Sequence, residues 1–136
     1  MPIMTAQPGK PFITDFRVER FTPPYLQGNK ANMRPTNVNV PAVIPALNQL
    51  FTISFDVPTT VKDIKVSLYH GGFVTHSVHM NHRMLFLNRT GFKPGQTQQT
   101  MTVRAPPNKN VAPPGDYVVY IVADGTPSVG KVVRIV

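Results

Sequence analysis

Four histidines, His70, His76, His79 and His82, lie within one thirteen-residue segment and are all the histidines of the chain. Imidazole is the commonest metal ligand, and it suits copper and zinc. In an extended segment, however, His76 and His79 point to opposite faces, as do His79 and His82, so a three-histidine site would need a tight bend. The spacing alone leaves two interpretations open, an intrachain metal site or ordinary surface and turn histidines.

Other kinds of chemistry find little support in the residue types. The six acidic residues are one Glu and five scattered Asp, so no pair of carboxylates stands ready for general acid and base work. Glycine-rich phosphate-binding loops lie at the N-terminus of a helix, and no convincing helix follows Gly71-Gly72, so the sequence does not favour a phosphate-binding loop. The chain has no Cys, which excludes a disulfide, a thiolate metal site and a cysteine nucleophile within it.

The composition indicates which elements position these histidines. Eighteen Val and 13 Thr outnumber 7 Ala and 6 Leu, and 15 Pro and 9 Gly punctuate the chain. Because β-branched residues are stiff and fit a pleated surface, this composition predicts an all-β protein.

Short alternating segments predict the individual strands. Phe51, Ile53 and Phe55 fall on one face of such a segment, as do Ile64, Val66 and Leu68, so each strand covers a core on one side only. The predicted strands are 13–21, 37–40, 50–57, 64–69, 73–78, 84–87, 100–104, 117–123 and 131–136, with residues 80–82 as a turn tip. Eight or nine such strands favour a two-sheet sandwich. Residues 1–11 are predicted to be a disordered lead-in, and residues 12–136 a single domain.

Charge and hydropathy limit the partners. The formal net charge is +8, but the basic residues stand singly, without the aromatic interleaving that stacks bases, which does not favour nucleic-acid binding. The longest apolar run, from Tyr117 to Ala123, is too short to cross a bilayer. The first six residues contain no basic region followed by an apolar stretch, so we expect no signal peptide in this chain.

The histidine segment also resembles a known family. Residues 73–79 followed by 83–87 are similar to the loop-bearing hairpin in the C-terminal domain of the copper radical oxidases, the galactose oxidase and glyoxal oxidase family. Further blocks resemble the same domain in the same order, namely 21–26 with Arg34-Pro35, 105–108, 112–120 and 125–130. The resemblance therefore covers nearly all of the chain. His79 and the Ala-Pro-Pro-Asn block at 105–108 make it nearer the glyoxal oxidase branch.

The resemblance implies an immunoglobulin-like (early-set) β-sandwich of about 7–9 strands, and a role for His76. In that family the hairpin projects through a seven-bladed kelch propeller, and the histidine matching His76 binds the single copper. The other ligands, a histidine and two tyrosines, one of them linked to a cysteine, belong to the propeller. This chain has no Cys and no match to the motifs that hold those ligands.

The implied function is that of a domain which caps a propeller and donates His76 to its copper. The family oxidises a primary alcohol or aldehyde with dioxygen and releases hydrogen peroxide. One imidazole is not a redox centre, so we expect this chain to be inactive alone and to need a kelch propeller domain, covalent or not, as its partner. Phe73, Val74 and Val78 would pack the hairpin in the propeller channel, and the family implies secretion.

The remaining histidines and two other functions complete the expectations. His79 is expected to support the copper site indirectly or to contact the propeller, whereas His70 and His82 are expected to lie outside any site. A different function is a free-standing immunoglobulin-like interaction or carbohydrate-binding module, in which His76 binds nothing. A third is a basic sandwich that recognises acidic carbohydrate or nucleic acid, whose binding would collapse with salt.

Overall fold

The computed structural model describes residues 18–44 and 47–136. Two 3-10 helices, Pro24–Leu26 and Gly28–Met33, precede twelve strands in this part of the chain. The strands are β1 (Thr36–Asn39), β2 (Val43–Ile44), β3 (Leu50–Asp56), β4 (Ile64–His70), β5 (Phe73–Thr75), β6 (Val78–Met80), β7 (Arg83–Leu87), β8 (Arg89–Thr90), β9 (Gln98–Arg104), β10 (Gly115–Ala123), β11 (Thr126–Pro127) and β12 (Lys131–Ile135). The all-β prediction is confirmed. Neither described helix has the length or the apolar character of a membrane span.

The strands form two main sheets and a separate hairpin. One sheet has the order β1-β3-β9-β8, and the other has the order β2-β12-β10-β4-β7 with β11 paired to β10. Pairing is antiparallel throughout, except that β2 runs parallel to β12. Among the described residues, strands β5 and β6 pair only with each other.

The core lies between the two main sheets. Alternate residues of β3, such as Ile53 and Phe55, are buried, and they meet buried residues of β10 such as Val119 and Ile121 in one hydrophobic cluster. Since successive side chains of a strand point to opposite faces, this alternation gives each sheet one covered face and one outer face. The outer face of the six-stranded sheet is therefore available for other contacts.

Two strand predictions differ from the structure. Residues 18–21, the described part of the predicted strand 13–21, are not strand, and the predicted lead-in at 1–11 lies outside the described residues. The predicted strand 73–78 is in fact two strands, β5 and β6, separated by a turn at His76 and Ser77. The hairpin tip is therefore at these two residues; the predicted tip at 80–82 contains a bend at Asn81 between β6 and β7, but it is not the tip of the hairpin.

Candidate functional site

The β5–β6 hairpin continues the β4–β7 pair beyond the end of the sheet. Strand β4 ends at His70, which pairs with Arg83 at the start of β7, and the chain between them forms the hairpin. Gly71 and Gly72 connect β4 to β5, and Asn81 and His82 connect β6 to β7. Because β5 and β6 pair with no other strand of residues 18–44 and 47–136, we describe the hairpin as an arm of the domain.

The tip of this arm consists of His76 and Ser77. Both residues have positive φ, 52° and 60°, as the two central residues of a type I′ hairpin turn require. Such turns usually contain Asn or Gly, because a left-handed conformation costs other residues roughly 1–2 kcal/mol each. Non-glycine residues in this conformation cluster at functional sites, so the backbone conformation makes His76 a candidate functional residue.

The His76 imidazole is exposed and has one nitrogen engaged by its neighbour. Its Nδ1 lies 2.6 Å from Thr75 Oγ1. In the tautomer that carries the proton on Nδ1, this N–H donates to the Thr75 hydroxyl and the lone pair of Nε2 points away from the ring. Histidines that bind metals use this arrangement, in which the second nitrogen donates to a fixed acceptor.

The sides of the arm are apolar and exposed. Phe73, Val74 and Val78 have exposed fractions of 55%, 56% and 53%. On β7, Met84 and Phe86 are also exposed. Exposed apolar patches are typical of surfaces that contact another protein, a membrane or a ligand.

The other three histidines divide into two local groups. His70 Nδ1 lies 3.1 Å from the Asn81 carbonyl oxygen, and the His70 ring packs against Tyr117 with ring centroids 5.1 Å apart. His79 Nδ1 lies 3.3 Å from His82 Nε2, so these two rings meet. The expectation that His79 and His82 face apart was wrong, because Asn81 between them has a φ of 59° and interrupts the extended backbone.

The base of the arm is held to the loop before β10. Arg83 donates hydrogen bonds to the carbonyl oxygens of Asn110 (3.2 Å) and Val111 (2.7 Å), and the Tyr117 hydroxyl donates to the Pro113 carbonyl oxygen at 2.8 Å. Burial raises the pKa of Tyr117 above its ordinary value of 10.0, and the nearby positive charge of Arg83 partly opposes this rise. The Tyr117 hydroxyl therefore remains a donor at neutral pH. The hydrogen bonds of Arg83 fix the position at which the arm leaves the sheet.

A shallow concavity of about 790 Å³ lies on the outer face of the six-stranded sheet. Its lining includes Tyr25, Lys65, Tyr69, Met84, Phe86 and Tyr120. The Lys65 ammonium lies 5.9 Å from the centroid of the Phe86 ring. Strand β7 supplies Met84 and Phe86 to this face and begins where the arm ends, so the face lies next to the arm.

Comparison with known proteins identifies the domain to which this geometry belongs. Residues 34–135 match the family described as galactose oxidase-like, early set domain. The chain belongs to this family. Its match covers all of the strands described above, including the arm with His76 at its tip.

Relatives of this early set domain are named as oxidases. The chain is 38% identical over 130 residues to aldehyde oxidase GLOX1 of Arabidopsis thaliana, covering 90% of this chain and 21% of that protein. It is 34% identical over 127 residues to aldehyde oxidase GLOX of Vitis pseudoreticulata, covering 92% of this chain and 24% of that protein. The chain thus spans between a fifth and a quarter of the length of these two relatives.

A solved structure shares the fold. It is that of a fungal alcohol oxidase of the AA5 family in complex with copper, which superposes with a TM-score of 0.56 at 22% sequence identity. The match covers 84% of this chain and 23% of the fungal one. The resemblance to the early set domain of the galactose oxidase family is confirmed by the family match, and the shared fold confirms the sandwich.

The described residues of the early set domain fit copper only as part of a ligand set. In residues 18–44 and 47–136, no group of three or more His, Cys, Asp or Glu side chains could hold a metal ion. His76 has the exposure and the engaged Nδ1 of a single ligand, and imidazole suits copper. A complete copper site would therefore take its other ligands from elsewhere.

Gly72 should control the direction of the arm. It has a φ of 59°, and a Cβ atom there would overlap the carbonyl oxygen of Met80. We expect Gly72→Ala to separate β5 from β6 at the Phe73–Met80 pair, at a cost of at least about 1 kcal/mol in the local conformation. The measurement is NMR of the 136-residue chain, in which cross-strand contacts between Phe73 and Met80 should disappear while core signals stay unchanged.

Gly71→Ala provides the matched control. A Cβ at Gly71 would meet only a carbon of the Tyr69 ring, at an ordinary 3.7 Å. This variant should keep the Phe73–Met80 contacts. Equal spectra for the two variants would contradict the role of Gly72.

Two features of the arm were not predicted from the sequence. Thr75 holds the His76 ring, and the turn falls on His76 and Ser77 rather than on residues 80–82. The signal that could have revealed the arm was the pair Gly71-Gly72, followed by equal apolar segments on either side of His76. Glycines directly after β4, followed by two short apolar segments with two residues between them, are typical of a hairpin.

Proposed function

We propose that this early set domain is part of a copper radical oxidase, in which it caps a kelch propeller and donates His76 as one ligand of the copper. The complete oxidase would oxidise a primary alcohol or an aldehyde with dioxygen and release hydrogen peroxide. The chain alone would be inactive as an oxidase, because it would supply only one of the copper ligands. The family's secretion is part of the same proposal.

The position of His76 carries this proposal. The imidazole lies at the tip of an arm that pairs with no other strand, in a turn whose backbone is unfavourable for a histidine. A structural role does not require His at this position, since Asn or Gly would form the turn at lower cost. A ligand role does require it.

The apolar sides of the arm support the propeller as its partner. Phe73, Val74 and Val78 expose more than half of their surface to water in this domain. Complete burial of an exposed side chain of this kind contributes about 1.5–3 kcal/mol, and roughly half of that remains for each of these three, so a channel that enclosed them would stabilise docking and exclude water from the tip. The aromatic concavity beside β7 extends the surface that the propeller would cover.

The chain's own residues would have three roles. His76 would donate its Nε2 lone pair, while Thr75 accepts the Nδ1–H and fixes the ring orientation. The arm would position the His76 imidazole next to the copper ligands that the propeller supplies. Copper, when bound, supplies one-electron redox chemistry and a binding position for the substrate oxygen.

The coding sequence upstream of Met1 offers an inexpensive test. We expect kelch repeats there, with a histidine, two tyrosines and a cysteine, or a separate gene that encodes such a propeller. A promoter upstream, with no such oxidase gene elsewhere in the genome, would contradict the proposal. That outcome would favour a free-standing interaction module.

A further inference from the structure

His79, in the middle of β6, and His82, after that strand, hold two ring nitrogens within hydrogen-bond distance of each other. The distance from His79 Nδ1 to His82 Nε2 is 3.3 Å, and the rings are nearly perpendicular, with an interplanar angle of 84°. Both side chains are exposed. Nothing in the proposed copper role of His76 uses this pair.

The separation of the two nitrogens also suits a shared metal ion. Zinc binds imidazole nitrogen at about 2.0–2.1 Å, and two such bonds across 3.3 Å subtend about 104–111° at the metal. This range brackets the tetrahedral angle that zinc adopts in proteins. Adjacent ligands at the right angle of a square-planar Cu(II) or Ni(II) site would instead place the nitrogens about 2.8–3.0 Å apart, if the metal–nitrogen bonds are of similar length.

The second nitrogen of His82 is already fixed. The Tyr69 hydroxyl lies 3.2 Å from His82 Nδ1, and the two rings meet edge to face with centroids 5.9 Å apart. With the proton on Nδ1, His82 donates to the Tyr69 hydroxyl and directs the lone pair of Nε2 towards His79. Metal-binding histidines are oriented by such a contact.

The geometry points to a second metal site in this chain, in which His79 Nδ1 and His82 Nε2 chelate one zinc ion. Two positions of the tetrahedron remain for water or for a group of a partner protein. Both ligands are exposed in the isolated chain, so the ion enters from solvent before a partner encloses the arm. Metal binding would also link the middle of β6 to the segment that precedes β7, and so would stiffen the arm where it leaves the sheet.

Zinc titration of the 136-residue chain tests this site. We expect one zinc ion to bind per chain by calorimetry, and we expect imidazole nitrogen signals of His79 and His82 alone to shift in NMR. Co(II) should give the intense visible absorption of a tetrahedral ion. His79→Ala and His82→Ala should each abolish saturable binding, and Tyr69→Phe should weaken it about tenfold, at the lower end of the effect of losing a supporting hydrogen bond.

His70→Ala and His76→Ala are the matched controls, since each removes one imidazole from the same segment. Both should keep the zinc affinity of the unchanged chain. Retained affinity in His79→Ala, or lost affinity in His76→Ala, would overturn the site, as would the absence of binding by the unchanged chain. The proposed function has separate tests, because they depend on His76 and the propeller rather than on this pair.

Discussion

Replacing His76 by alanine in the complete oxidase should abolish hydrogen peroxide production. Loss of a group that merely supports a ligand costs roughly 10–100-fold in metal affinity, so loss of the ligand itself should cost more. His76 is exposed and lies outside the core, and therefore the domain should remain folded. Copper content, peroxide release and the circular dichroism of the variant are the measurements.

Two further variants separate a ligand role from a general disturbance of the arm. Thr75→Val removes the hydroxyl beside Nδ1 and should weaken copper binding about 10–100-fold without abolishing it. His82→Ala removes an exposed imidazole away from the tip and should lower peroxide production far less than His76→Ala does. Equal losses in His76→Ala and His82→Ala would contradict the assignment of His76.

Replacing Phe55 by alanine should lower the free energy of unfolding of the 136-residue chain by about 3–5 kcal/mol. Phe55 is 2% exposed and packs in the cluster between the two sheets, so its loss leaves a cavity as well as reducing the buried apolar area. Denaturant unfolding followed by fluorescence or circular dichroism measures the change.

Phe86→Ala is the matched control for Phe55→Ala, because it removes the same side chain from the outer face. Phe86 is 60% exposed, and its replacement should change the free energy of unfolding of the isolated chain by less than about 0.5 kcal/mol. In the complete oxidase the same change should lower the stability of the docked domain. A large loss of stability in the isolated chain would contradict the assignment of this face to docking.

The sandwich could be predicted because two of its core strands, β3 and β10, alternate strictly. Strands β3 and β10 bury every second residue, and alternation with a period of two is typical of a strand that is covered on one face. Strands β2, β8 and β11 contain two residues each, too few to carry a period. Their pairing depends on the tertiary structure.

The geometry around the candidate site could be predicted only in part, because it depends on two turns. The resemblance pointed to His76, but no Asn-Gly or Asp-Gly signal marked the turn that carries it. The meeting of His79 and His82 could not be predicted from a strand period, because it depends on the left-handed backbone of Asn81. A prediction of which face two side chains occupy assumes an extended backbone, so a single residue with positive φ between them can bring the two side chains together.

The most direct test of the central claim is the structure of the complete oxidase with copper, with data collected at the copper absorption edge. The proposed function predicts one strong anomalous peak at bonding distance from Nε2 of His76, with Nδ1 of the same ring still donating to the Thr75 hydroxyl. A copper peak held by other residues, with His76 at the tip of an arm that no propeller encloses, would contradict it.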